Sequence, residues 1–101
     1  MSMQRVGEML PGLLRELGLA ETLDGWRAVA DWSDTVGPQI AKRTRAVSFR
    51  DGALVVEVDG SAWMHELGFL ARDLRDKLNE RLGRPLVRDI KFTITRGGIR
   101  R

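Results

Sequence analysis

Val47-Ser48-Phe49-Arg50-Asp51-Gly52-Ala53-Leu54-Val55-Val56-Glu57-Val58 is a β-hairpin written out in sequence. Two β-rich runs, Val47-Ser48-Phe49 and Leu54 to Val58, flank Asp51-Gly52. An Asp-Gly pair supplies the positive φ angles that a two-residue hairpin turn requires. Side chains of a strand alternate between its faces, so Leu54, Val56 and Val58 are predicted to face a core while Glu57 and Asp59 look outward.

On the C-terminal side of the hairpin, Ser61 is placed to cap a long helix over SAWMHELGFLARDLRDKLNERL. Trp63, Leu67, Leu70, Leu74 and Leu78 make one apolar stripe at helical spacing, widened by Met64, Ala71 and Leu82. Asp73 and Lys77 stand in the favourable order for an i,i+4 ion pair. Gly68 is an internal weak spot, about 1 kcal/mol worse than alanine. Gly83 and Pro85 stop the helix, and Lys77, Arg81 and Arg84 place cations near its negative end. Val87 to Ile94 then alternates again, with Ile90, Phe92 and Ile94 on one face, and reads as a third strand.

Towards the N-terminus, Gly37-Pro38 ends a helix that carries Trp26, Val29, Ala30, Trp32 and Val36, with Thr22 or Asp24 as its cap. Pro38 opens a short turn of helix through Ile40, Ala41 and Lys42. Val6, Met9, Leu10, Leu13, Leu14 and Leu17 recur at helical spacing. Pro11 lacks an N–H donor and divides that segment into a short opening helix and a second one starting near Pro11 and closed by Gly18. Three strands, each buried on one face, need a cover, and the two long helices supply it. The expected fold is α+β, a two-layer sandwich of N-terminal helices, hairpin, long helix and third strand. It forms one domain over residues 1–95, with a basic mobile tail over 96–101.

Composition narrows the function. The 101 residues hold 43% hydrophobic and 31% charged residues, which suits a soluble globular domain, and no cysteine, which removes disulfides and thiolate metal sites. No apolar run reaches the ~18 residues a membrane helix needs. The N-terminal stretch is interrupted by Glu8, Pro11, Gly12, Arg15 and Glu16, which spoils it as a secretory signal, so a cytoplasmic location is expected. His65 is the single histidine, and HExxH, phosphate-loop and Ser/His/Asp patterns are missing. The chain therefore reads as a binding protein rather than an enzyme, with no cofactor, no metal and no small-molecule substrate.

Charge is unevenly placed. Residues 1–41 carry 3 Lys/Arg and 6 Asp/Glu, a balance of −3, and residues 42–101 carry 14 and 8, a balance of +6, giving the net +3. Such asymmetry points to an anionic partner for the basic part. The candidate nucleic-acid contacts are Lys42, Arg43 and Arg45 before the hairpin, Arg72 and Arg75 off the leucine stripe, Arg88 and Lys91 around the third strand, and Arg96, Arg100 and Arg101 in the tail. The competing reading is local neutralisation by Asp73, Asp76, Glu80 and Asp89, which favours the Lys42–Arg45 loop and the tail. Trp26 and Trp32 are six residues apart, so both cannot be central to one narrow helical stripe. One of them, taken as Trp26, is left available to a protein partner.

The order of these signals resembles one family. Leu10-Pro11 is followed by Trp32 and Val36-Gly37, the basic Lys42-Arg43-Thr44-Arg45, and the Asp51-Gly52-Ala53-Leu54-Val55-Val56-Glu57-Val58 strand. Then come Ser61-Ala62-Trp63-Met64-His65-Glu66-Leu67, Leu78-Asn79-Glu80-Arg81-Leu82-Gly83 and Ile90-Lys91-Phe92. From about Leu10 to Ile94 this is similar to the DciA family of bacterial replicative-helicase loaders. The resemblance implies a K-homology (KH)-like fold, the replicative helicase as partner, and affinity for single-stranded or junction DNA. Nucleic-acid-binding KH domains grip the backbone with a Gly-x-x-Gly loop between two helices. Ser61 to Leu82 reads here as one unbroken helix without that loop, which shifts the expected contact to electrostatics. Many relatives extend further, with a basic segment beyond the position of Arg101. The alternatives are a protein-interaction module without direct DNA contact and an RNA-binding KH-like domain.

Overall fold

The computed structural model describes residues 20–95. The expected opening helices, with Pro11 and Gly18, and the tail with Arg96, Arg100 and Arg101 lie outside the described residues. In chain order the elements are α1 (Ala20–Val36), α2 (Pro38–Ala41), β1 (Thr44–Arg50), β2 (Ala53–Val58), α3 (Ser61–Leu82) and β3 (Asp89–Ile94). The strands form one sheet in the order β1-β2-β3. β1 and β2 run antiparallel, and β2 and β3 run parallel. Parallel neighbours cannot be joined by a tight turn, so α3 returns the chain along the sheet before β3 begins.

The hairpin forms on the expected dipeptide. Asp51 and Gly52 both adopt positive φ, 53° and 82°, between the paired Arg50 and Ala53. Gly52 meets a second demand: a Cβ there would lie 2.9 Å from Arg88 Cδ. Its carbonyl also accepts hydrogen bonds from the backbone N–H groups of Arg88 (2.8 Å) and Asp89 (3.2 Å), which seats β3 beside the turn.

Leu54, Val56 and Val58 are fully buried and face both long helices, meeting Ala28 and Trp32 of α1 and Leu67, Leu74, Leu78 and Leu82 of α3. Each such side chain withdrawn from water contributes about 1.5–3 kcal/mol before entropy is set against it. Because every inward strand residue points to one side, both helices lie on that side and the other sheet face carries no helix among the described residues. The α+β two-layer sandwich is therefore as the sequence reads.

Register departs from simple alternation in β1. Ala46 pairs with Val56 and Ser48 with Val55, so Val47 is an unpaired bulge residue. The bulge turns Phe49 inward, where it packs on the core beside Leu54, and leaves Val47 exposed.

Five local expectations need correction. Thr22 and Asp24 fall inside α1 rather than at its cap. Gly60 (φ 105°), not Ser61, is the N-cap of α3, and Ser61 is its first residue. Leu70 is exposed, because at 100° per residue it sits about 60° to one side of Leu67 while Leu74, Leu78 and Leu82 continue the buried line. Ile94, at the strand end beyond the helix cover, is also exposed. Asp73 and Lys77 make no ion pair among the described residues.

The end of α3 is closed by Gly83 at φ 84°. Its N–H donates to the Glu80 carbonyl, and the Arg84 N–H donates to the Asn79 carbonyl, a Schellman arrangement. Asn79 then clamps the following turn. Its Nδ2 donates to the Val87 carbonyl and its Oδ1 accepts from the Val87 N–H, both at 2.8 Å. Val87 is thereby buried although it precedes the strand. Trp32 is buried with its Nε1 donating to Thr44 Oγ1 at 2.9 Å, and that hydroxyl donates to the Ile40 carbonyl at 2.8 Å. This relay joins α1, α2 and β1 and satisfies the polar groups that folding takes out of water.

Candidate nucleic-acid interface

The fold sorts the basic candidates into two surfaces. One is the sheet face opposite the helices. Pairing across the strands sets Arg45 beside Glu57 and Thr93, Ser48 beside Val55 and Lys91, and Arg50 beside Ala53 and Asp89. Arg43 and Lys42 stand at its edge, in the turn before β1.

Two of these five cations are already engaged. Arg43 pairs with Asp59 at 3.1 Å and Arg45 with Glu57 at 3.1 Å. Glu57 also accepts from the Thr95 hydroxyl at 2.8 Å. That hydrogen bond, then the Arg45 guanidinium, holds the Glu57 carboxyl below its ordinary titration range despite some opposing desolvation. Lys42, Arg50 and Lys91 have no acidic partner within ion-pair distance among the described residues.

The second surface is a groove between α3 and β3. Gly68, Phe69, Ala71, Arg72, Asp73 and Arg75 line it from the helix, and Arg88, Asp89 and Ile90 from the strand side. β3 ends the sheet, so its outer backbone edge borders this groove. The helical periodicity that buries Leu67, Leu74 and Leu78 turns Gly68, Arg72 and Arg75 onto the flank facing β3. Arg75 pairs with Asp76 at 3.0 Å and also donates to the Arg88 carbonyl at 3.4 Å. The Arg88 side chain lies against the Gly52 turn. Arg72 and Arg88 have no acidic partner among the described residues.

The structure thus brings Arg72, Arg75 and Arg88 together, sets Arg43, Arg45 and Lys91 on a different face, and holds Lys42 at the rim of the latter. Phe69 and Arg50 were not singled out by sequence reasoning. Phe69 did leave a signal: it is a large aromatic set about 140–180° from the buried leucines of α3, on the face turned away from the core.

Trp26 is 68% exposed, whereas Trp32 is buried, so the six-residue spacing does separate them. Trp26 borders an apolar hollow with Gly25, Val29, Val47 and Phe49 at the outer edge of β1. His65 is exposed, and its ring meets Phe69 edge-on at 5.0 Å. Among the described residues no cluster of three His, Asp or Glu side chains could hold a metal ion, and no helix is long and apolar enough to cross a membrane.

Comparison with known proteins adds a family. The sequence model described as "Dna[CI] antecedent, DciA" matches residues 5–92. The chain is 29% identical over 90 residues to a UPF0232 protein of Mycobacterium tuberculosis, covering 89% of this chain and 48% of that protein. It is 28% identical over 90 residues to one from Mycolicibacterium paratuberculosis and 23% identical over 89 residues to one from Corynebacterium glutamicum. In the latter two the match takes in 89% and 88% of this chain and 50% of each relative. The chain therefore spans about half the length of the curated relatives it matches.

Proposed function

The chain belongs to the DciA family, and we propose that it acts as a nucleic-acid-binding accessory to the bacterial replicative DNA helicase, contacting single-stranded or junction DNA through its basic surface. The observation that carries this reading is the convergence of Arg72, Arg75 and Arg88, from two elements, on one groove beside an edge strand. Guanidinium groups in such a groove can track phosphates, and each phosphate neutralised releases bound counterions, so affinity falls as salt rises. Lys42, Arg50 and Lys91 supply further positive charge on the sheet face, and no group suited to covalent or acid–base catalysis is needed for this work.

The test is DNA affinity of the full chain measured against salt, for the wild type and two triple variants, Arg72→Ala/Arg75→Ala/Arg88→Ala and Lys42→Ala/Arg43→Ala/Arg45→Ala. The groove variant is expected to weaken binding more than the loop variant, because Arg43 and Arg45 are already paired with Asp59 and Glu57. An affinity indifferent to salt and to both variants overturns the reading.

Trp26 favours a second reading, a protein-docking module. A tryptophan 68% exposed over an apolar hollow is the kind of anchor on which interfaces concentrate their energy. Capture of the replicative helicase that survives nuclease treatment and is lost in Trp26→Ala supports it, and capture unchanged by that substitution sinks it.

A further inference from the structure

We propose that the groove between α3 and β3 is a single-strand site in which Phe69 is a base-stacking platform, so that the chain prefers unpaired to paired bases. This rests on the nucleic-acid reading above and specifies how binding divides between stacking and phosphate contact.

Phe69 is 75% exposed, more than any other large apolar side chain among the described residues. It sits at the outer rim of the groove, and its ring is not left to swing freely. His65, one turn earlier on α3, meets it edge-on with centroids 5.0 Å apart and planes at 87°. A ring held perpendicular to Phe69 can cover at most one of its faces, so at least one face stays free of His65 for a stacking base. Beside it, a Cβ built on Gly68 would meet nothing within 4 Å, so the floor next to the ring is clear.

Along α3 from Phe69, Arg72 and Arg75 follow at three-residue intervals, each about 4.5 Å further along the axis. Arg88 faces them from the strand side. An aromatic at one end of a line of guanidiniums fits a strand whose terminal base stacks while its phosphates run past the arginines.

The two contacts differ in kind. Arg75 is already paired with Asp76 at 3.0 Å, which leaves Arg72 and Arg88 as the groove arginines without an acidic partner among the described residues. These guanidiniums supply the salt-dependent phosphate contact, and the exposed aromatic face adds a stacking contribution that salt screens far less. A duplex keeps its base faces stacked inside and cannot use Phe69. Phe69 also borders a second hollow with Met64 and His65, so a folded protein docked on the ring is the competing occupant.

Fluorescence anisotropy of the full chain with labelled oligothymidylate and with a hairpin duplex of equal length, each across a range of salt, tests the assignment. Phe69→Ala is expected to weaken oligothymidylate binding about ten-fold, leave duplex binding unchanged, and leave the single-strand salt slope near about −2. Phe69→Trp restores affinity, and Arg72→Ala/Arg88→Ala lowers both ligands and flattens the slope. Circular dichroism verifies that each variant folds, as substitution of an exposed ring permits. If the wild type binds neither ligand, the wider nucleic-acid reading fails and takes this one with it. If the wild type binds but Phe69→Ala changes nothing, or weakens single strand and duplex alike, the stacking assignment alone is overturned. It is equally overturned if Phe69→Ala abolishes helicase capture while oligothymidylate affinity stays intact.

Discussion

Glu57 shows how a single contact on the open sheet face reports on the packing around it. The Thr95 hydroxyl and the Arg45 guanidinium both stabilise its ionised form, so its folded-state carboxyl titrates below the unfolded value. A depressed carboxylate adds stability that is present above its unfolded pKa of about 4.3 and is lost as pH falls through the folded value. Thr95→Val removes the leading contact at constant volume. Its Glu57 titration midpoint, followed by carboxyl NMR, is expected to move up towards the ordinary value. The gap in urea midpoint between wild type and variant should be present near neutral pH and shrink as pH falls through the lowered folded-state value. A gap that widens on acidification would contradict the sign of this linkage. Sequence reading places Glu57 facing outward, as found, but Thr95 lies 38 positions away and no local pattern announces the pair.

At the scale of elements, two glycines with nearly equal φ separate backbone strain from side-chain crowding. Gly83 closes α3 at 84° with nothing near its absent Cβ, while Gly52 turns the hairpin at 82° with Arg88 Cδ 2.9 Å from where a Cβ would sit. Gly83→Ala should therefore cost about 1 kcal/mol, the penalty of the left-handed region alone. Gly52→Ala should cost about 1–2 kcal/mol more, of the order seen for overpacking, and should weaken oligonucleotide binding by displacing Arg88 from the groove. Urea unfolding of the two variants checks the ranking, and equal costs would show that Arg88 yields freely. The hairpin, the α3 stop and the buried strand face were legible because each depends on neighbouring residues: Asp51-Gly52, Gly83, and the alternation of Leu54, Val56 and Val58. The bulge at Val47 was not, because it is a property of register between two strands. The Asn79 clamp was hidden for a similar reason, since an asparagine inside a helix signals nothing until the chain folds back and presents Val87. The caps were misplaced because Ser61 suits a cap chemically, yet the backbone turns one residue earlier at Gly60.

For the whole molecule, the charge asymmetry read along the chain is partly consumed within the fold. The acidic residues of α1 meet the basic end of α3: Arg84 pairs with Asp24, and Arg81 reaches Asp34 at 3.3 Å and Asp31 at 3.7 Å. Arg27 returns the favour by donating to the Leu82 carbonyl at 3.3 Å. The basic candidates were therefore recognisable as residues in the sequence, while the subset able to attract an external anion depended on pairings that only the fold reveals. Arg81 and Arg84 belong to the seam between the helices, and Arg72 and Arg88 face the groove without acidic partners among the described residues. These two classes should respond oppositely to perturbation. Exposed ion pairs contribute little each, about 0–1 kcal/mol, and are screened by salt. Arg81→Ala/Arg84→Ala should thus lower stability by no more than about 2 kcal/mol, with the deficit fading at high salt and DNA affinity retained. Arg72→Ala should leave the urea midpoint nearly unmoved, since exposed positions away from packing seldom change stability by more than about 0.5 kcal/mol. Arg72→Ala/Arg88→Ala should add only the loss of the Arg88 contact with the Gly52 turn while reducing DNA affinity. Parallel denaturation and anisotropy measurements on the two pairs decide the matter. Loss of affinity from the seam variant without loss of fold would relocate the anion surface to the α1–α3 side.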